Sequence, residues 1–156
     1  MKENFKIQKV NRNKSEICEE ILRSLKEWFQ IESAIKNYVN DVKKYPMFIA
    51  KINSHIIGFL SLKIHTKYSA EIYVMGIKKD FHKKGIGKKL VHESIKYLQK
   101  KDFKYLSVKT LSASKRNKAY AQTRKFYISL GFCPLEEFKT LWDKNNPCLL
   151  MIKTIN

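Results

Sequence analysis

The chain has 156 residues, with 32 basic against 14 acidic side chains for a formal charge of +18, and it is 44% hydrophobic and 12% aromatic. That length and apolar content suit a single domain spanning 1–156 with one sizeable core, and no apolar run approaches the roughly 20 residues that cross a bilayer. The basic residues are spread along the whole chain, a pattern that reports solubility and general attraction to anions and argues against a dedicated nucleic-acid partner, whereas a small polyanionic ligand fits it.

The opening MKENFKIQKVNRNKSE (1–16) has no apolar segment of signal-peptide type, so a cytoplasmic protein is expected. Within it, FKIQKV (5–10) alternates like a strand. Ile17, Ile21, Leu22, Leu25, Trp28 and Phe29 follow at helical spacing and predict a helix over 17–29. Cys18 lies in this segment, and with Cys133 and Cys148 it makes an odd, widely separated set without a C-x-x-C pair, so neither a disulfide framework nor a metal site is expected. A second helix fits 32–42.

Pro46 then marks the entry to Met47-Phe48-Ile49-Ala50, the start of a hairpin that turns at Asn53-Ser54 and returns over 56–64. A further strand covers 69–77, which makes three consecutive strands an antiparallel meander. After a glycine-bearing turn, Leu90, Val91, Ile95 and Leu98 share one side of a helix and leave Lys88, Lys89, Lys96 and Lys100 to solvent. A strand over 105–110, a helix stopped by Leu130-Gly131, and strands over 132–138 and 148–155 complete the order β-α-α-β-β-β-α-β-α-β-β. This order predicts an α/β (α+β) fold with a mixed central sheet of about 6–7 strands, antiparallel early and partly parallel late, flanked by about 4 helices. The apolar Cys148-Leu149-Leu150-Met151-Ile152 needs a neighbour, so a homodimer is expected.

The turn His82-Lys83-Lys84-Gly85-Ile86-Gly87-Lys88 sits between a strand and a helix. A Walker A loop needs G-x-x-x-x-G-K-[ST], but Gly87-Lys88 is followed by Lys89 and has no glycine five positions before it. A dinucleotide fingerprint needs a third glycine where Leu90 stands. What remains is a basic turn with two glycines whose helix-initiating peptide N–H groups are free to approach an anion, which is the physical recipe for holding a pyrophosphate.

The six residues from His82 to Gly87 resemble the [RQ]-x-x-G-x-[GA] acetyl-CoA signature of the GNAT acetyltransferases, with His82 at the position usually held by Arg or Gln. Phe126-Tyr127-Ile128-Ser129-Leu130-Gly131-Phe132 is similar to the family's Y-x-x-x-G-F near the end of a later helix, and the element order matches over essentially the whole chain. The resemblance implies the GNAT fold and an N-acetyltransferase that moves an acetyl group from acetyl-CoA to a primary amine of a small molecule or peptide. It also implies that the glycine turn cradles the pyrophosphate, with peptide groups near Met75 and Ile77 pairing with the pantetheine arm and Gly76 compatible with a bulge between them. Tyr120 stands where many members carry a coenzyme-binding Asn. A non-catalytic acyl-CoA-binding module, or a basic nucleic-acid-binding module on the same fold, is the alternative.

Acetyl transfer requires an uncharged amine, and a lysine-like amine has a pKa of about 10.4, so a base or a water relay must take its proton. Glu71, in the strand segment Ala70-Glu71-Ile72, is the candidate, because the histone-acetyltransferase branch places its general base in a closely similar segment. Tyr127 is the candidate donor to the leaving thiolate. For the acceptor, the informative residues are Glu27 and Trp28 in one segment and Glu136, Glu137 and Trp142 in another, since carboxylates beside aromatic faces suit a cationic amine.

Overall fold

The computed structural model describes residues 4–156; Met1, Lys2 and Glu3, at the start of the N-terminal stretch read above, lie outside the described residues. The alternating KIQKV forms β1 (Lys6–Val10), which pairs antiparallel with β2 (Met47–Ile52). The hairpin continues into β3 (His55–Ile64) and the meander into β4 (Ser69–Ile77). Then come α3 (Ile86–Gln99), β5 (Tyr105–Leu111), α4 (Lys118–Ser129) and the hairpin of β6 (Cys133–Asp143) with β7 (Asn146–Thr154), while α1 (Lys14–Ser24) and α2 (Glu32–Asp41) lie between β1 and β2 in sequence. The described strands form one seven-stranded sheet in the order β1-β2-β3-β4-β5-β7-β6. Only β4 and β5 run parallel, and α3 supplies the crossover that a parallel pair demands.

Each sheet face buries its own core. Leu60, Leu62, Ile72 and Phe132 pack with Leu90 and Leu98 of α3, and Met47, Ile49, Phe59 and Val74 pack with Ile21 and Leu22 of α1. The apolar stretch at Cys148 lies inside β7, so the neighbours it needs are β5 and β6 of the same chain. No helix among the described residues is long and apolar enough to cross a membrane.

Two details depart from the sequence expectations. The first helix ends at Ser24, because Leu25 leaves helical geometry at φ −108° and ψ 61°. The apolar stripe nevertheless continues as a turn: Trp28 Nε1 donates to the Ala119 carbonyl at 3.2 Å and to Thr123 Oγ1 at 3.0 Å, and Tyr120 returns its hydroxyl to the Trp28 carbonyl at 2.7 Å. Periodicity could not separate these cases, since Trp28 and Phe29 bury apolar surface in either.

The second departure is the position of the bulge. Ser61 pairs with Val74 but Leu62 pairs with Ile72, so Tyr73 is the extra residue, and Gly76 lies within regular pairing opposite Phe59. Gly76 is needed for close approach instead, as a Cβ there would sit 3.0 Å from both Ile21 Cγ2 and Leu25 Cδ1. Both side chains are almost wholly buried against the sheet and have nowhere to retreat. Gly76→Val is therefore expected to lower stability by about 1–3 kcal/mol through overpacking, read as a lower urea midpoint at unchanged slope. An unchanged midpoint would show that α1 is free to ride outward.

Candidate active site

The feature that makes a site is the parting of β4 from β5. They pair only from Ser69 with Tyr105 to Ile72 with Val108, although β4 runs on to Ile77 and β5 to Leu111. Beyond Ile72, β4 therefore presents peptide groups to β5 that the ladder does not satisfy. The gap opens into a cleft of about 490 Å³.

The glycine turn forms one end of this cleft. Gly85 is the N-cap of α3 at φ 82°, a left-handed conformation that favours glycine, and no side chain caps the helix. The first intrahelical bond on this turn runs from Lys89 N to the Gly85 carbonyl at 3.1 Å, which leaves the amides of Ile86, Gly87 and Lys88 without helical acceptors. Lys83, itself at φ 61°, and Lys88 line the cleft beside them, whereas Lys84 is exposed next to the Phe81 ring and outside the lining. His82 also lines the cleft, but its Nε2 donates to the Ile77 carbonyl at 2.6 Å and its ring meets Trp28 edge-on at 5.4 Å. It is thus built into the turn, and the amides carry the anion-binding capacity.

Met75, Gly76 and Ile77 line the cleft, and so does Tyr127. Tyr127 is only 5% exposed and sits edge-on to Phe126 at 5.2 Å and Phe132 at 5.5 Å. Burial pushes its phenol well above the ordinary tyrosine range, so the proton stays on at neutral pH. Among the described residues nothing accepts from its hydroxyl, so packing and proton donation do not compete. Tyr120 lines the same wall with its hydroxyl committed to Trp28, and the Asn of this region is Asn117, which caps α4 by accepting from Tyr120 N at 3.0 Å.

Glu71 precedes Ile72 and so points to the opposite sheet face, toward α1 and α2. It is 5% exposed, and its Oε1 accepts from His65 Nε2 at 2.7 Å and from Lys109 Nζ at 3.1 Å. Lys109 lines the cleft and Glu71 does not, which puts the carboxylate one side chain behind the wall. His65, at 36% side-chain exposure, connects it to solvent.

Of the acceptor candidates, Trp28 and Trp142 come together on the cleft wall. Glu27 instead pairs with Lys79 at the surface, and Glu136 and Glu137 stand exposed on β6, Glu137 accepting from Ser114. Several cleft residues escaped the sequence reading. Tyr38 and Tyr73 stack edge to face at 5.3 Å, Tyr73 lying on the sheet face opposite Ile72. Thr110 also lines the cleft, and its buried hydroxyl has no hydrogen-bond partner, so it is available to a bound group. Lys109 stands at an ordinary polar position of the alternating Leu106-Ser107-Val108-Lys109-Thr110-Leu111, and its partner was not deducible from spacing.

Comparison with known proteins agrees with this architecture. No curated protein matches the chain. Among solved structures, the ribosomal-protein-S18-alanine N-acetyltransferase of Escherichia coli superposes with a TM-score of 0.78 at 15% identity, covering 98% of this chain and 95% of that one. A GNAT family acetyltransferase from Elizabethkingia anophelis with acetyl-CoA bound gives 0.75 at 19% identity over 98% and 99% of the two chains. PaiA N-acetyltransferase from Thermoplasma acidophilum in complex with coenzyme A gives 0.74 at 21% over 97% and 99%. These likenesses establish the fold. The family model described as Acetyltransferase (GNAT) family matches residues 14–132, a span that holds the glycine turn, the parted strands and Tyr127, and the chain belongs to that family.

Proposed function

We propose that this protein transfers an acetyl group from acetyl-CoA to a primary amine of a small molecule or peptide. The observation that carries the reading is the alignment along one cleft of uncapped α3 amides, the unpaired inner edge of β4 and the Tyr127 hydroxyl. Acetyl-CoA supplies an activated thioester carbonyl, and these residues fit it in order. The amides of Ile86, Gly87 and Lys88, with Lys83 and Lys88 nearby, suit the pyrophosphate. Peptide groups around Met75 suit a pantetheine arm that adds like a strand, although the Ile77 carbonyl is already taken by His82.

For the chemistry, an acceptor amine held beside Tyr73 and Lys109 would meet the thioester when acetyl-CoA is bound, and Tyr127 would be the cleft residue able to protonate the leaving sulfur. Glu71 is the assigned sink for the proton that the amine loses, reached past Lys109 and drained to solvent through His65. Tyr127 gives its proton to the departing thiolate, a role suited to a phenol that burial keeps neutral.

Calorimetric titration with acetyl-CoA, followed by thiol release in the presence of amines, tests the proposal; absence of acetyl-CoA binding would sink it. Gly85→Glu places a carboxylate at the helix N-terminus, and should weaken acetyl-CoA at least about 10-fold while the circular dichroism of the fold is retained. Tyr127→Phe should leave acetyl-CoA affinity intact and slow turnover by about 10²–10⁴-fold, and unchanged turnover would return Tyr127 to a packing role alone.

A further inference from the structure

The acceptor side of the cleft narrows the class of amine, on the footing that the acetyltransferase reading above holds. The cleft lining includes Phe29, Tyr38, Tyr73 and Trp142, with Lys109 as its charged member on the sheet face of Tyr73. The rings interlock edge to face, Phe29 with Tyr38 at 6.1 Å and Tyr38 with Tyr73 at 5.3 Å. Among the described residues no Asp or Glu lines the cleft at any point. The nearest carboxylates are engaged elsewhere: Glu71 by His65 and Lys109, Asp41 by the Tyr73 hydroxyl, and Glu27 by Lys79.

We infer that the acceptor is a monoamine with a flat, aryl-type apolar body, and that polyamines and other polycationic amines are excluded. A single ammonium gains from the tyrosine and tryptophan faces as it enters, and it is the group that must lose its proton in any case. Every further ammonium on the acceptor would shed water against rings and the Lys109 cation, with no carboxylate to receive it. An aryl body meets the opposite balance, because it buries apolar surface and stacks edge to face with the same rings.

The experiment compares 2-phenylethylamine and tryptamine with spermidine and kanamycin as acceptors for the full chain, by thiol release and by mass of the acetylated product. The expected result is a kcat/KM for the arylalkylamines at least about 10-fold above that for the polycations. Trp142 is 43% exposed, so Trp142→Ala should fold; it is expected to raise KM for 2-phenylethylamine about 2- to 10-fold while kcat and acetyl-CoA affinity stay unchanged. Preference for a polycation, an unchanged KM in the variant, or acetyl-CoA binding without transfer to any arylalkylamine would each overturn the acceptor assignment and leave the cofactor reading standing. Failure to bind acetyl-CoA at all would instead overturn the acetyltransferase reading and this inference with it.

Discussion

The broken ladder between β4 and β5 is the constraint on which the rest of the molecule depends. A sheet keeps its backbone polar groups satisfied by pairing them, so a parallel pair that stops at Ile72 and Val108 while both strands continue leaves peptide groups facing a gap. The structure sustains this opening from both sides. Tyr73 bulges β4 against β3, and the start of α3 packs at the far end, where Ile86 is fully buried in the core. The unsatisfied edge is thus held rigid by two hydrophobic cores, which is how a fold can present backbone groups to a ligand without collapsing onto them.

A second device ties the two ends of the cleft together. The turn after α1 exchanges three hydrogen bonds with α4, through the Trp28 indole and the Tyr120 hydroxyl, and Trp28 also abuts His82 of the glycine turn. One aromatic side chain thereby links the turn after α1, the glycine turn and the helix that carries Tyr127. His82, where the family signature usually has Arg or Gln, fits this arrangement: its ring bonds the Ile77 carbonyl and steadies the turn, and the first amides of α3 are left uncapped.

The charge of +18 says little about the chemistry. Most lysines lie on the surface, and those that matter are set by position: Lys83 and Lys88 beside the free amides, and Lys109 between the cleft and Glu71. Glu71 shows how a buried carboxylate is tolerated, with a histidine and a lysine both within hydrogen-bond reach. That triad connects the cleft to the protein surface, a link that neither strand periodicity nor motif matching could display.

The sequence by itself determined the element order, the mixed sheet, the glycine turn at the head of α3 and the place of Tyr127, because these follow from periodicity, glycine positions and short motifs that act over a few residues. It did not determine where α1 stops, which residue bulges, or that Cys148 to Ile152 would be covered from within the chain by β5 and β6. Nor did it reveal that the acidic residues beside the tryptophans face away from the cleft, while Tyr38, Tyr73 and Thr110 face into it. Those outcomes depend on contacts between residues far apart in the chain, such as Trp28 with Thr123 and Glu71 with Lys109. Only the assembled sheet brings such pairs together, and no local pattern encodes which partner each side chain will meet.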